Sequence, residues 1–149
     1  IRDSAGTIGN KPLYVKALSS GLSNLKSFKY NGNTYFLSLV NPNNFVTGVN
    51  TIKAYISKKS SVITTPYALA SEQFIVAITP TMPDMGNHTS PNNEALTLNT
   101  DSTYTGKINL TMTGVWNIHL VVKTPDGTVI AGGDNDDSGY SNLYWTVNI

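Results

Sequence analysis

Cysteine is absent from this 149-residue chain. With no thiol there is no disulfide framework, no thiolate metal site and no cysteine nucleophile. Charge is scarce as well. Asp, Glu, Lys and Arg make up 13% of the residues, against roughly 25% in an average soluble protein. Net charge is +1 and the lysines are scattered, so the basic footprint that phosphate neutralisation needs is missing and no nucleic-acid partner is expected. Lys58-Lys59 reads as a solvated loop tip. No apolar run approaches the roughly 20 residues of a spanning helix. The chain opens Ile1-Arg2-Asp3-Ser4 rather than with Met, and we expect a signal or lipid-anchor segment upstream.

What is present is β-patterned. Hydrophobic residues are 40% of the chain, enough for a sizeable core. Residues 1–10 carry two glycines and few apolar anchors and read as a frayed lead-in. Leu13–Leu18 reads as a first strand. Leu25–Tyr30 and Thr34–Val40 flank Asn31-Gly32, a hairpin signal because both turn residues must take positive φ. Val49–Ser57 alternates, with Ile52, Ala54 and Ile56 on one face. Glu72–Thr79 places Phe74, Val76 and Ile78 together. Pro80, Pro83, Gly86 and Pro91 then predict a loop over 80–93. Glu94–Asn99 and Tyr104–Met112 follow. Val115–Lys123 puts Trp116, Ile118, Leu120 and Val122 inward and Asn117, His119 and Val121 outward. Leu143–Ile149 is the last strand, and Ala68–Glu72 reads as one helical turn. Many short strands without helical periodicity predict an all-β fold, an antiparallel sandwich forming one domain over 1–149.

Met82-Pro83-Asp84-Met85-Gly86, His88, Tyr104-Thr105-Gly106 and Met112-Thr113-Gly114-Val115-Trp116 form a series of motifs. Gly48-Val49-Asn50 lies upstream of them. Over roughly residues 47–123 the chain resembles the YtkA-like and FixH-like domains, in which an MP-x-MG-H loop precedes a Y-x-G strand and an M-x-G-x-W hairpin. In that pattern the histidine follows the glycine directly, whereas Asn87 intervenes here. The resemblance implies an immunoglobulin-like β-sandwich outside the cytoplasm, in the periplasm or at the cell surface. It also implies partners among copper-handling or cell-envelope proteins.

The chemistry of the loop points the same way. Met82, Met85 and His88 are spaced M-x-x-M-x-x-H. Thioether sulfur is soft and suits Cu(I), and imidazole suits either copper state. Pro83 stiffens the turn and Gly86 lets it fold back, and His119 or Met112 would complete the ligand set if the loop packs over the following hairpin. The plain alternative is that the methionines plug the open end of the sandwich as adaptable fillers. A second motif, Asp134-Asn135-Asp136-Asp137-Ser138-Gly139, fits the first half of a calcium loop through Asp134, Asp136 and Ser138. Trp145 stands where the bidentate Glu belongs, so an acidic surface turn is the better reading. There is no G-x-S-x-G, H-E-x-x-H or phosphate loop, and Glu72, Asp84, Glu94 and Asp101 have no spacing that pairs them. We therefore expect a non-catalytic domain that carries copper. The competing class is an immunoglobulin-like interaction module of a surface lipoprotein, without metal.

Overall fold

The structure, a computed structural model, describes residues 25–149. The expected lead-in at 1–10 and strand at 13–18 lie outside them. The described chain is all-β and antiparallel. β1 (Leu25–Tyr30) and β2 (Asn33–Asn41) form the first hairpin, followed by β3 (Gly48–Lys59) and β4 (Tyr67–Leu69). β5 (Ile75–Met82), a 3₁₀ turn (Pro83–Met85) and β6 (His88–Thr89) come next. β7 (Glu94–Leu98), β8 (Tyr104–Leu110), β9 (Val115–Lys123), β10 (Val129–Ala131) and β11 (Tyr144–Asn148) complete the order. No helix among the described residues is long and apolar enough to cross a membrane.

Hydrogen bonding runs through one continuous path, β1-β2-β3-β8-β7-β5-β9-β10, with β4 on β3, β6 on β5 and β11 on β9. β1 approaches β10, so the path nearly closes on itself. The two ends therefore share one core. The Phe28 ring from β1 meets the Phe74 ring edge-on at 5.5 Å, and Tyr35 from β2 meets the same ring at 5.3 Å. Behind them pack Leu37, Ile52, Ile56, Val76, Ile108, Trp116, Ile118 and Leu120. Alternation explains why these residues are inside: a strand sends every second side chain to one face. The Asn31-Gly32 hairpin forms as its chemistry requires, with φ of 48° and 75°.

Two expectations are corrected. The stretch at 68–72 is not a helical turn: Tyr67–Leu69 pairs with Ser57–Lys59 as a short strand, and the Ala70 N–H donates to the Ile56 carbonyl at 2.8 Å. Nor does Pro80 end β5, which continues to Met82. β9 pairs with β5 along Ile75–Thr81. On the other side, β7 pairs only at Ile75 and Val76 and β6 only at Thr81 and Met82. Pro80 falls in the gap between them, a local edge, where a residue without an N–H is tolerated. The expected loop at 80–93 is thus largely ordered: its first half is the hairpin β5–β6. Its second half is stapled to β8, where Asn93 Oδ1 accepts the Asn109 N–H at 2.9 Å and Ser90 Oγ donates to the Asn109 carbonyl. His119 faces away from the core residues of β9, as expected, yet it is buried.

Candidate metal-binding hairpin

Met82 and His88 are cross-strand partners at the end of the β5–β6 hairpin. Partners in an antiparallel pair share a face, so the first and last members of M-x-x-M-x-x-H stand side by side. Local sequence builds the turn between them. Pro83 occupies the first position of the 3₁₀ turn and Gly86 caps it with a left-handed φ of 62°. Asn87 is also left-handed, at 60°, and its N–H donates to the Met82 carbonyl at 3.0 Å. The extra residue between glycine and histidine therefore closes the turn. Met85 sits on the tip, 52% exposed.

Met82 is buried, 3% exposed. A β-carbon built on Gly114 would come within 2.8 Å of the Met82 Cε, so the glycine of M-x-G-x-W makes room for the first thioether. The other letters of that motif are equally physical. Trp116 is fully buried, and its Nε1 donates to the Met112 carbonyl at 3.0 Å. The Met112 backbone thus serves Trp116, and its half-buried side chain packs on the core. The His88 imidazole lies 6.4 Å from the Trp116 ring, centroid to centroid. In Y-x-G, the Tyr104 hydroxyl accepts the Phe74 N–H at 3.2 Å. A β-carbon at Gly106 would strike the Glu94 carbonyl at 2.6 Å. In G-x-N, Asn50 is buried and closes the preceding loop by accepting the Val46 N–H at 2.9 Å.

His119 is not brought to this cluster. Residues 74, 76, 78 and 82 of the β5 stretch face the core, and Thr81 faces the opposite side with His119. Both ring nitrogens are engaged there: Nε2 shares a hydrogen bond with Thr81 Oγ1 at 2.9 Å, and Nδ1 donates to the Ser141 carbonyl. The proton on Nδ1 leaves Nε2 to accept from the threonine. Tyr140 and Tyr144 cover the ring at 5.3 and 5.2 Å. Ser141 Oγ anchors that cover to the Leu120 carbonyl at 2.6 Å.

The acidic turn is held by its own side chains. Asp136 Oδ1 accepts the Ser138 N–H at 2.9 Å and the Ser138 hydroxyl, bonds that hold its carboxyl below the usual carboxylate range. Ser138 is thereby spent on Asp136. Among the described residues no three His, Asp or Glu side chains gather as a metal-ligand set; the candidate donors at the hairpin are thioether and imidazole, with Asp84 in the turn between them.

One cluster had no signal in the sequence. Glu72 Oε1 accepts Lys58 Nζ at 2.7 Å and the Tyr35 hydroxyl at 2.6 Å. These donors hold the Glu72 carboxyl down at about 2, Lys58 contributing most. Burial and the neighbouring carboxylate push the Tyr35 hydroxyl up. The other acids lie elsewhere. Glu94 faces Lys107 at 3.5 Å, Asp101 Oδ1 accepts the Thr103 N–H at 3.0 Å, and Asp84 lies in the 3₁₀ turn. Lys58 and Glu72 are 14 residues apart and Tyr35 and Glu72 37 apart, a separation that no local spacing rule reads.

Comparison with known protein families, with curated proteins and with solved structures found no match to this chain.

Proposed function

We propose that this chain is an extracytoplasmic, non-catalytic domain that carries Cu(I) on the β5–β6 hairpin, through Met82, Met85 and His88. The observation that carries the reading is the Met82–His88 cross-strand pair, because it sets a thioether beside an imidazole on one face. Met85 at the exposed tip is free to fold down as the second sulfur. Two thioethers and one imidazole are neutral, soft and resistant to disulfide formation, which suits monovalent copper as cargo. Met112 shares the M-x-G-x-W motif with Gly114 and Trp116 and is a reserve donor. His119 is spent on Thr81 and Ser141 and has no part in the site. We read the fold as an immunoglobulin-like sandwich, with β1, β2, β3, β8 and β7 in one layer and β5, β9, β10 and β11 in the other. The motif resemblance to YtkA-like and FixH-like domains supports both the fold reading and the copper reading. Copper-handling or cell-envelope proteins are the fitting partners.

The test is a Cu(I) competition titration of the wild type and of the Met82→Leu/Met85→Leu variant. We expect one equivalent bound by the wild type and a loss of at least tenfold in affinity in the variant, about 1.4 kcal/mol. Equal, weak binding by both would end the copper reading.

A second reading, an interaction module without metal, is favoured by one observation. The β3–β4 hairpin exposes Val62, Ile63, Tyr67 and Leu69, and an exposed apolar cluster marks interaction sites. That reading predicts no copper difference between the two proteins and an association lost on Ile63→Asp.

A further inference from the structure

We propose that Trp116 is the third wall of the copper site, taking the bound monovalent ion against the π face of its indole. This deepens the hairpin reading and rests on it. The register that pairs Thr81 with Asn117 puts Met82 beside Trp116, and Met82 is also the partner of His88. One row thus crosses three strands, His88 on β6, Met82 on β5 and Trp116 on β9, with Met82 and Trp116 buried and His88 exposed at its outer end.

The outer two residues of such a row start two strand spacings apart, about 10 Å. Their rings nevertheless approach to 6.4 Å with a 55° tilt, so both lean over the residue between them. That residue is the thioether of Met82, whose terminal methyl is seated at Gly114. The indole is fixed in place, because its Nε1–H is held by the Met112 carbonyl at 3.0 Å. Its N–H edge is therefore engaged, and the ion would meet the electron-rich face of the ring on the Met82–His88 side.

The face of a tryptophan attracts cations within about 6 Å of the ring centroid, and more strongly when the contact is out of water. Trp116 is fully buried, so water does not compete on its inner side. A carboxylate ligand would favour harder, more highly charged ions. Two or three neutral donors backed by an aromatic face favour instead a soft ion of single charge. The arrangement gives Trp116 a role in selectivity: it favours Cu(I) and Ag(I) over Zn(II) and Cu(II), and it shields one side of the ion from water and oxidant.

Ag(I) is the probe, since it is soft, monovalent and stable in air. It is titrated into the wild type, Trp116→Phe, Trp145→Phe and Met82→Leu/Met85→Leu, with folding checked by far-UV circular dichroism. Indole emission and the near-UV difference spectrum are followed. We expect saturable quenching and a difference band at one equivalent in the wild type and in Trp145→Phe, both absent from Trp116→Phe. Trp116→Phe should still bind one equivalent, about tenfold more weakly. If Ag(I) binds in a methionine-dependent way with no indole response, and Trp116→Phe binds equally well, the wall is refuted while the hairpin site stands. If Ag(I) binds none of the proteins, the hairpin reading fails and the wall with it. Should Trp116→Phe not fold, the wild-type and Trp145→Phe spectra decide alone: an unchanged indole on saturation overturns the proposal.

Discussion

Met82 and Gly114 are fitted to each other: a β-carbon at residue 114 would stand 2.8 Å from the Met82 methyl group. Gly114 also has a φ of 130°, which side-chain-bearing residues rarely adopt. Methionine, glycine and tryptophan from two separate motifs therefore meet at one place, and the packing of the hairpin and the proposed donor set for metal share the Met82 side chain.

Gly114→Ala tests that fit. The methionine end can move aside, so backbone strain dominates the cost, and we expect about 1–2 kcal/mol, read as a fall in thermal midpoint of several degrees. The displaced Met82 should also weaken Ag(I) binding. Unchanged stability and unchanged binding would show that the contact is incidental.

His119 separates structure from metal. His119→Ala leaves the Thr81 hydroxyl and the Ser141 carbonyl without partners and opens a gap between Tyr140 and Tyr144. We expect a loss of about 2–3 kcal/mol in urea denaturation and no change in Ag(I) affinity of the folded fraction. A selective loss of metal binding would place His119 in the site after all.

Glu72 gives a pH signature. Its folded pKa of about 2 lies below the ordinary 4.5. A depressed carboxylate stabilises the fold fully above the ordinary value, and that contribution is lost as pH falls from there through the folded value. Glu72→Gln should therefore cost stability at pH 7, and the gap from the wild type should narrow between pH 4.5 and 2. The side chains are about one-third exposed, so screening keeps the expected cost near roughly 1 kcal/mol. A gap independent of pH would contradict this.

The two tryptophans should differ. Trp116 Nε1 is bonded to Met112, whereas the buried Trp145 Nε1 has no partner among the described residues. Replacing either with phenylalanine removes similar apolar area. Only Trp116→Phe also breaks a hydrogen bond, so it should be the costlier change by about 1 kcal/mol in chemical denaturation.

Much of the fold was legible from alternation and turn chemistry, because those signals are local. Asn31-Gly32 announces its hairpin, and Ile52, Ala54 and Ile56 announce a buried face. The misreadings share one cause, the influence of distant chain. Pro80 breaks a strand that is paired on both sides, but β5 is unpaired on one side at that point. His119 is placed outward correctly by the period of two, yet Tyr140 and Tyr144 return over it from 21 and 25 residues downstream. Tyr67–Leu69 becomes a strand because the end of β3 offers an unpaired edge. At the candidate site, the three spaced donors were visible as a string. That Met82 and His88 would be partners, with Trp116 next in the row, depended on the register of three strands.

The most direct measurement is a methionine-methyl NMR titration, because the chain contains 3 methionines and each reports for itself. With Ag(I) added to protein labelled at the methionine methyl, we predict that the Met82 and Met85 signals shift together and stop at one equivalent. His88→Ala should weaken the same transition. Methyl signals that never move, or that drift without saturating, would contradict the account.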